Sequence, residues 1–180
     1  PKGQGGPFIA LKPEHEPTKE MKAKLANLDV KMGRMEALRE FMQKMPLAPP
    51  LISFYVTSSY GKRRDPINRR WASHYGLDLG GGFKSRVYST APGVVTYAGW
   101  KGKYGKLVEI SHGAGMKTRY GHLHKIYVKK GQKVKFHQKI GLLGSTGRST
   151  GVHLHYEVVF RGRAKNPMKF IKAGRNVFQN

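Results

Sequence analysis

Apolar positions change their spacing along this 180-residue chain, and the change marks its organisation. From about Thr18 to Lys44, Met21, Leu25, Leu28, Met32, Met35, Leu38 and Met42 recur at steps of three and four. Such steps stack side chains on one side of an α-helix, so an amphipathic helix is predicted over 17–46. Pro46, Pro49 and Pro50 end it, because proline has no N–H to continue the ladder. The preceding stretch, 1–16, is rich in Gly and Pro and reads as a flexible tail. From Leu51 the signal turns to short β-prone runs between Gly-rich turns: Val94 to Tyr97, Leu107 to Ile110, Thr118 to Tyr120, Ile126 to Val128 and Leu154 to Phe160. These runs predict a mainly β domain of antiparallel strands over 47–180. For the helix, packing against the domain or against another helix is the ordinary expectation, with its methionines as core filler.

Composition narrows the function classes. The chain has no Cys, which excludes a disulfide framework without fixing the compartment. No signal peptide or membrane span is visible, and the chain opens at Pro1, which reads as a mature form or an excised segment. Lys and Arg number 34 against 10 Asp and Glu, a net charge of +24. After Pro50, 25 basic residues face only Asp65, Asp78, Glu109 and Glu157. A field of that sign attracts polyanions. The cations are spread over strands and loops without a recognisable nucleic-acid module, so no nucleic acid is expected as partner. An anionic polymer other than nucleic acid accounts for the charge equally well.

With so few carboxylates, the spacing of Asp78 is informative. In His74-Tyr-Gly-Leu-Asp78 the acid stands four positions from a histidine, and His153-Leu-His155 places two histidines two apart. On extended strands such positions share a face. His74, Asp78 and His155 are a three-ligand set of the kind a catalytic zinc takes, its fourth position left to water. His153, beside a ligand, is placed to take a proton from the attacking water. Glu157 shares strand parity with His153 and His155 and is a candidate to orient a ligating imidazole. Gly80 to Gly82 and Gly144 to Gly151 bracket these motifs, and such loops are suited to wall a groove that admits an extended peptide.

Over about residues 47–171 the chain resembles the lysostaphin-type (LytM-like) zinc endopeptidases that cut the peptide part of peptidoglycan. The resemblance rests on Ser59-Tyr-Gly-Lys-Arg63 with Asp65-Pro66, His74 to Asp78, Ala91-Pro-Gly-Val-Val95, Tyr104-Gly105, Tyr120-Gly-His-Leu123, Gly131-Gln132, Ile140-Gly141 and the run Gly144 to Val158. It departs at Gly82-Phe-Lys-Ser-Arg86, where many relatives have Pro-x-Gly-Thr-Pro, and at Val152, where Pro is common; neither change removes a proposed ligand.

The resemblance implies one Zn2+ per chain, held by His74, Asp78 and His155. It implies that His153 activates the water while His122 orients it or steadies the oxyanion. Tyr120 and Arg63 flank matched positions and are expected to reach the substrate, as both carry hydrogen-bond donors. The helix resembles the end of a longer coiled coil, implying a helical partner or self-association. The implied activity is hydrolysis of peptidoglycan stem-peptide cross-links in the periplasm or cell envelope. The alternative is a LytM-like scaffold that binds the wall or activates another hydrolase. His15, His112, His124 and His137 are expected to be surface or structural.

Overall fold

The computed structural model describes residues 17–64 and 69–178; the expected tail, and Asp65 and Pro66, lie outside the described residues. Two units divide the chain, 1–39 and 40–180.

The helix predicted first is α1 (Lys19–Gln43). Thr18 starts it: its hydroxyl accepts the Met21 N–H at 3.2 Å, satisfying one of the donors left over at a helix start. Among the described residues none of α1 is buried.

The remainder is built from β1 (Tyr55–Ser58), β2 (Gly61–Arg64), β3 (Trp71–His74), β4 (Leu77–Gly80), β5 (Arg86–Tyr88), β6 (Gly93–Trp100), β7 (Lys106–Gly113) and β8 (Met116–Gly121). After these come β9 (Lys125–Ile126), β10 (Lys133–Val134), β11 (Lys139–Leu142), β12 (His153–Phe160), β13 (Arg163–Lys165) and α2 (Pro167–Phe178). The main sheet runs β1-β4-β12-β8-β7-β6-β10, with β13 also paired to β12. Its pairings are antiparallel. A smaller sheet, β5-β11-β9, and the hairpin β2-β3 complete the fold. The mainly β architecture expected from the sequence is present. The run from Ile126 to Val128 is shorter than expected, with only Ile126 inside a strand.

Strand alternation divides β12 between two environments. Leu154, Tyr156 and Val158 are fully buried, and they join Leu77, Leu79, Val108, Ile110, Val87 of β5 and Ile140 of β11 in one core. Each fully buried aliphatic side chain of this kind contributes about 1.5–3 kcal/mol. His153, His155 and Glu157 take the opposite face, as period-two alternation requires.

Within the core, Tyr120 is buried and corrects the expectation that it reaches the substrate. Its hydroxyl accepts the Thr90 N–H at 3.1 Å and lies 2.9 Å from Thr118 Oγ1 and 3.0 Å from Thr90 Oγ1. Tyr156 donates to Thr90 Oγ1 at 3.0 Å, and His112 donates from Nδ1 to the Pro92 carbonyl at 2.8 Å. His112 is thus a buried structural histidine whose burial lowers its pKa.

Helix α2 was not foreseen, although its signals are in the sequence. Asn166 caps it by accepting the Met168 N–H at 3.0 Å, Pro167 follows at the first turn, and Ile171 is buried in the core.

Candidate metal centre and active-site groove

The site lies where β12 runs between β4 and β8. In register, His155 faces Asp78 on one side and Gly121 on the other. His74 arrives differently from the sequence expectation. It ends β3, and the chain bends through Tyr75-Gly76 before Asp78 in β4, so the two ligand candidates do not share one regular strand. Gly76 is needed at that bend, because a Cβ there would lie 2.6 Å from the His155 ring.

Three atoms converge. His74 Nε2 lies 3.0 Å from Asp78 Oδ1 and 3.2 Å from His155 Nδ1, and His155 Nδ1 lies 2.8 Å from Asp78 Oδ1. Tetrahedral zinc with bonds near 2.0–2.1 Å spaces its ligands roughly 3.3 Å apart, so this triangle needs only slight opening to hold the ion. The outer faces of the rings are tied. His74 donates from Nδ1 to the Ser59 carbonyl at 2.8 Å, and His155 donates from Nε2 to Glu157 Oε1 at 2.9 Å. Each ring therefore turns its other nitrogen inward, where it can take a proton or a metal. Burial lowers the His155 pKa, but the Asp78 and Glu157 carboxylates on either side outweigh it and hold the group at about 9. Burial raises the Asp78 pKa, and hydrogen bonds from His155 and His74 more than offset this, leaving it well below the ordinary carboxylate range. A centre that favours positive charge, built from two imidazoles and one carboxylate, fits Zn2+.

Behind His155 stands a ladder of alternating charge. Glu157, Arg119 and Glu109 face one another across β12, β8 and β7. Arg119 donates to Glu157 Oε2 at 3.1 Å and to Glu109 Oε2 at 2.7 Å, and the Tyr104 hydroxyl donates to Glu157 Oε1 at 2.8 Å. Three of the four acidic residues after Pro50 therefore belong to the centre or its support. Glu157, expected from strand parity beside His155, meets its Nε2 on the side away from Asp78. Tyr104 and Arg119 were missed as support, yet Arg119 carried a signal, since its parity on β8 places it on the His155 face.

Two further imidazoles stand beside the triangle without entering it. His122 donates from Nδ1 to the Thr146 carbonyl at 2.7 Å, and its ring centre is 4.8 Å from that of His153. Burial pushes the His122 pKa down to about 4, the Thr146 contact opposing it only in part. His122 has φ 61, the left-handed region, at a cost of about 1 kcal/mol or more. That turn redirects the ring: regular alternation would put it on the buried Tyr120 face. His153 Nδ1 lies 3.0 Å from the Gly151 carbonyl, leaving Nε2 turned inward, 3.9 Å from Asp78 Oδ1. Arg63, expected to meet substrate, donates to Asp78 Oδ2 at 3.2 Å and lines the same groove of about 580 Å³.

A β-sheet centre with two imidazoles and a carboxylate as donors, flanked by two non-ligating imidazoles in an open groove, is that of a metallopeptidase. The model of peptidase family M23 matches residues 72–167, and the chain belongs to that family. It is 42% identical over 135 residues to the peptidoglycan DD-endopeptidase ShyA of Vibrio cholerae, covering 74% of this chain and 31% of that protein. It is 41% identical to the DD-carboxypeptidase/endopeptidase Mpg of Neisseria meningitidis, covering 66% of this chain and 27% of that one. The chain thus spans about a third or less of the length of these curated relatives. Among solved structures it is similar to a zinc-containing peptidase from Vibrio cholerae, with TM-score 0.64 and 41% identity over 69% of this chain and 39% of that chain. It is also similar to the catalytic domain of lysostaphin from Staphylococcus simulans, with TM-score 0.61 and 33% identity over 66% of this chain and 92% of that chain.

Proposed function

We propose that the β domain is a zinc-dependent endopeptidase that hydrolyses peptide cross-links of bacterial peptidoglycan, with one Zn2+ per chain, in the periplasm or cell envelope. The observation that carries the reading is the triangle of His74 Nε2, Asp78 Oδ1 and His155 Nδ1 beside two imidazoles that do not ligate. The scaffold alternative would tolerate loss of a donor, whereas here every donor is in place and braced from behind.

His74, Asp78 and His155 would hold Zn2+, and the bound ion would supply Lewis acidity for the scissile carbonyl and for a water near neutral pH. His153 accepts the proton of the attacking water at Nε2 and is placed to return it to the leaving amine. His122, neutral and tied through Nδ1 to Thr146, presents Nε2 as an acceptor. This favours its orienting the water over donating to an oxyanion. Arg63 holds Asp78 Oδ2 and so leaves Oδ1 for the metal. The relatives' names as peptidoglycan endopeptidases support the substrate class.

The test is digestion of purified sacculi with and without chelator, the products identified by mass. Conversion of cross-linked muropeptides to monomers, abolished by chelator and restored by Zn2+, is expected; unchanged muropeptides in excess Zn2+ would overturn the reading.

A further inference from the structure

One stretch of the β domain is built twice. Val128-Lys-Lys-Gly-Gln-Lys133 and Val134-Lys-Phe-His-Gln-Lys139 follow the same pattern, and Ile140 comes next. Val128, Val134 and Ile140 are buried, while the lysines between them are exposed. Each hexad closes a turn in the same way. Gln132 donates its backbone N–H to the Lys129 carbonyl at 3.1 Å and accepts the Lys129 N–H on its side-chain Oε1 at 3.1 Å. Gln138 does the same with Lys135, at 3.3 and 2.9 Å. Both turns are thus closed by backbone and glutamine groups, and the lysine ammoniums are left at the surface.

The second turn is tied to the small sheet. His137 stacks on Tyr88 of β5 with ring centres 4.3 Å apart, and Lys139 pairs with Tyr88 across β5 and β11. The Lys139 ammonium lies 4.5 Å from the centre of the Tyr127 ring, and that of Lys125 lies 5.5 Å from it. Lys125, Tyr127, Lys139 and the second turn therefore form one continuous face, with Phe136 exposed at the turn's tip. The first turn adjoins it through Lys133-Val134-Lys135.

This face carries one sign of charge. Lys125, Lys129, Lys130, Lys133, Lys135 and Lys139 are exposed, and none of them makes an ion pair among the described residues. The sequence has no Asp or Glu from 110 to 156, and Glu109 and Glu157 on either side are both held by Arg119. Such a face attracts an anionic partner. Two features choose the kind. No Arg lies between Arg119 and Arg148, whereas recognition of individual phosphates favours the guanidinium fork. Tyr127 and Phe136 stand exposed among the lysines, a composition suited to the headgroup layer of a bilayer.

We infer that the twin turns, with Lys125 and Tyr127, form a docking face for an anionic lipid surface. The inference does not depend on the peptidase reading.

Co-sedimentation of the whole chain with phosphatidylcholine vesicles, with and without phosphatidylglycerol, tests it. Binding is expected only where phosphatidylglycerol is present, and it should weaken as salt is added. A lysine near such a surface is worth about fivefold in partition, so replacing Lys129, Lys133, Lys135 and Lys139 together with Ser should weaken binding by at least about tenfold. Replacing Arg163, Lys165, Lys169 and Lys172 with Ser removes the same charge elsewhere and should weaken it far less. Phe136→Ser is expected to lower binding to the vesicles and to leave binding to soluble dextran sulfate unchanged. No binding of the unaltered protein to phosphatidylglycerol vesicles overturns the inference without needing any variant to fold. Equal losses in the two fourfold variants overturn the face, and binding to dextran sulfate but not to vesicles overturns the lipid as its partner.

Discussion

Asp78 and His155 stand directly opposite each other across the antiparallel pair β4–β12, with Oδ1 and Nδ1 2.8 Å apart. Two of the three donors are thereby set by sheet register, which a single-residue slip of either strand would destroy by turning one of the two side chains to the opposite face. Replacing Asp78 with Asn keeps the shape and removes the charge. We expect Asp78→Asn to fold and to lose most zinc occupancy, read as metal content after dialysis against a weak chelator, with hydrolysis lost in parallel. Retention of one zinc per chain would mean that Asp78 is not a ligand.

Glu157 acts on the metal through His155. Glu157→Gln can still accept the Nε2–H of His155 but brings no charge to it. Outer partners of this kind are worth about 10–100-fold in metal affinity, so that loss is expected in competition with a chromophoric chelator. Arg119→Met should weaken affinity in the same direction and by less, since Tyr104 still donates to Glu157. A Glu157→Gln protein with unaltered zinc affinity would reduce the ladder to a packing feature.

How much of this was legible in the sequence depended on backbone regularity. Along β12 alternation is regular, and parity correctly grouped His153, His155 and Glu157. It failed twice where the chain leaves the extended region. His74 and Asp78 meet through a bend at Gly76, and His122 reaches the site only because its left-handed φ reverses the face that Tyr120 and regular spacing would dictate. Tyr120 was expected at the substrate for a different reason, its place beside a matched motif and its donor hydroxyl, when it belongs to the core. The support from Thr146 was hidden for another reason: it uses a backbone carbonyl, which leaves no residue-type signal.

The buried Tyr120 gives a clean separation of stability from chemistry. Tyr120→Phe leaves the Thr90 N–H without its acceptor, at a cost of about 1–3 kcal/mol. Denaturant unfolding of the zinc-free protein should show that loss, while hydrolysis per zinc-loaded molecule stays unchanged. A selective rise in KM would restore Tyr120 to the substrate.

Gly147 tests the loop contact that positions His122. Alanine there must hold φ 77, and its Cβ would meet the Gly105 backbone, which cannot swing aside as a side chain would. The expected result of Gly147→Ala is displacement of Thr146, a fall in kcat exceeding the change in zinc affinity, and a lower Tm. If kcat holds while Tm falls, His122 does not depend on this contact.

The pH dependence of metal binding follows from the charge about His155. Its pKa, held at about 9 by Asp78 and Glu157, means that near neutrality a metal must displace a proton from Nδ1. Each unit of acidification then favours the protonated ring, so apparent zinc affinity should rise about tenfold per pH unit from 6 to 8 and level off near 9. His122 works the other way on stability. Its folded-state pKa of about 4 lies below the ordinary 6.5, so the unfolded chain binds more protons between those values. Its contribution is present above pH 6.5 and lost as pH falls towards 4. Titration calorimetry in buffers of different ionisation enthalpy reads the proton released on zinc uptake. Close to one proton per zinc at pH 7 is expected, and none would place the ligand set already deprotonated, against the carboxylate pair flanking His155.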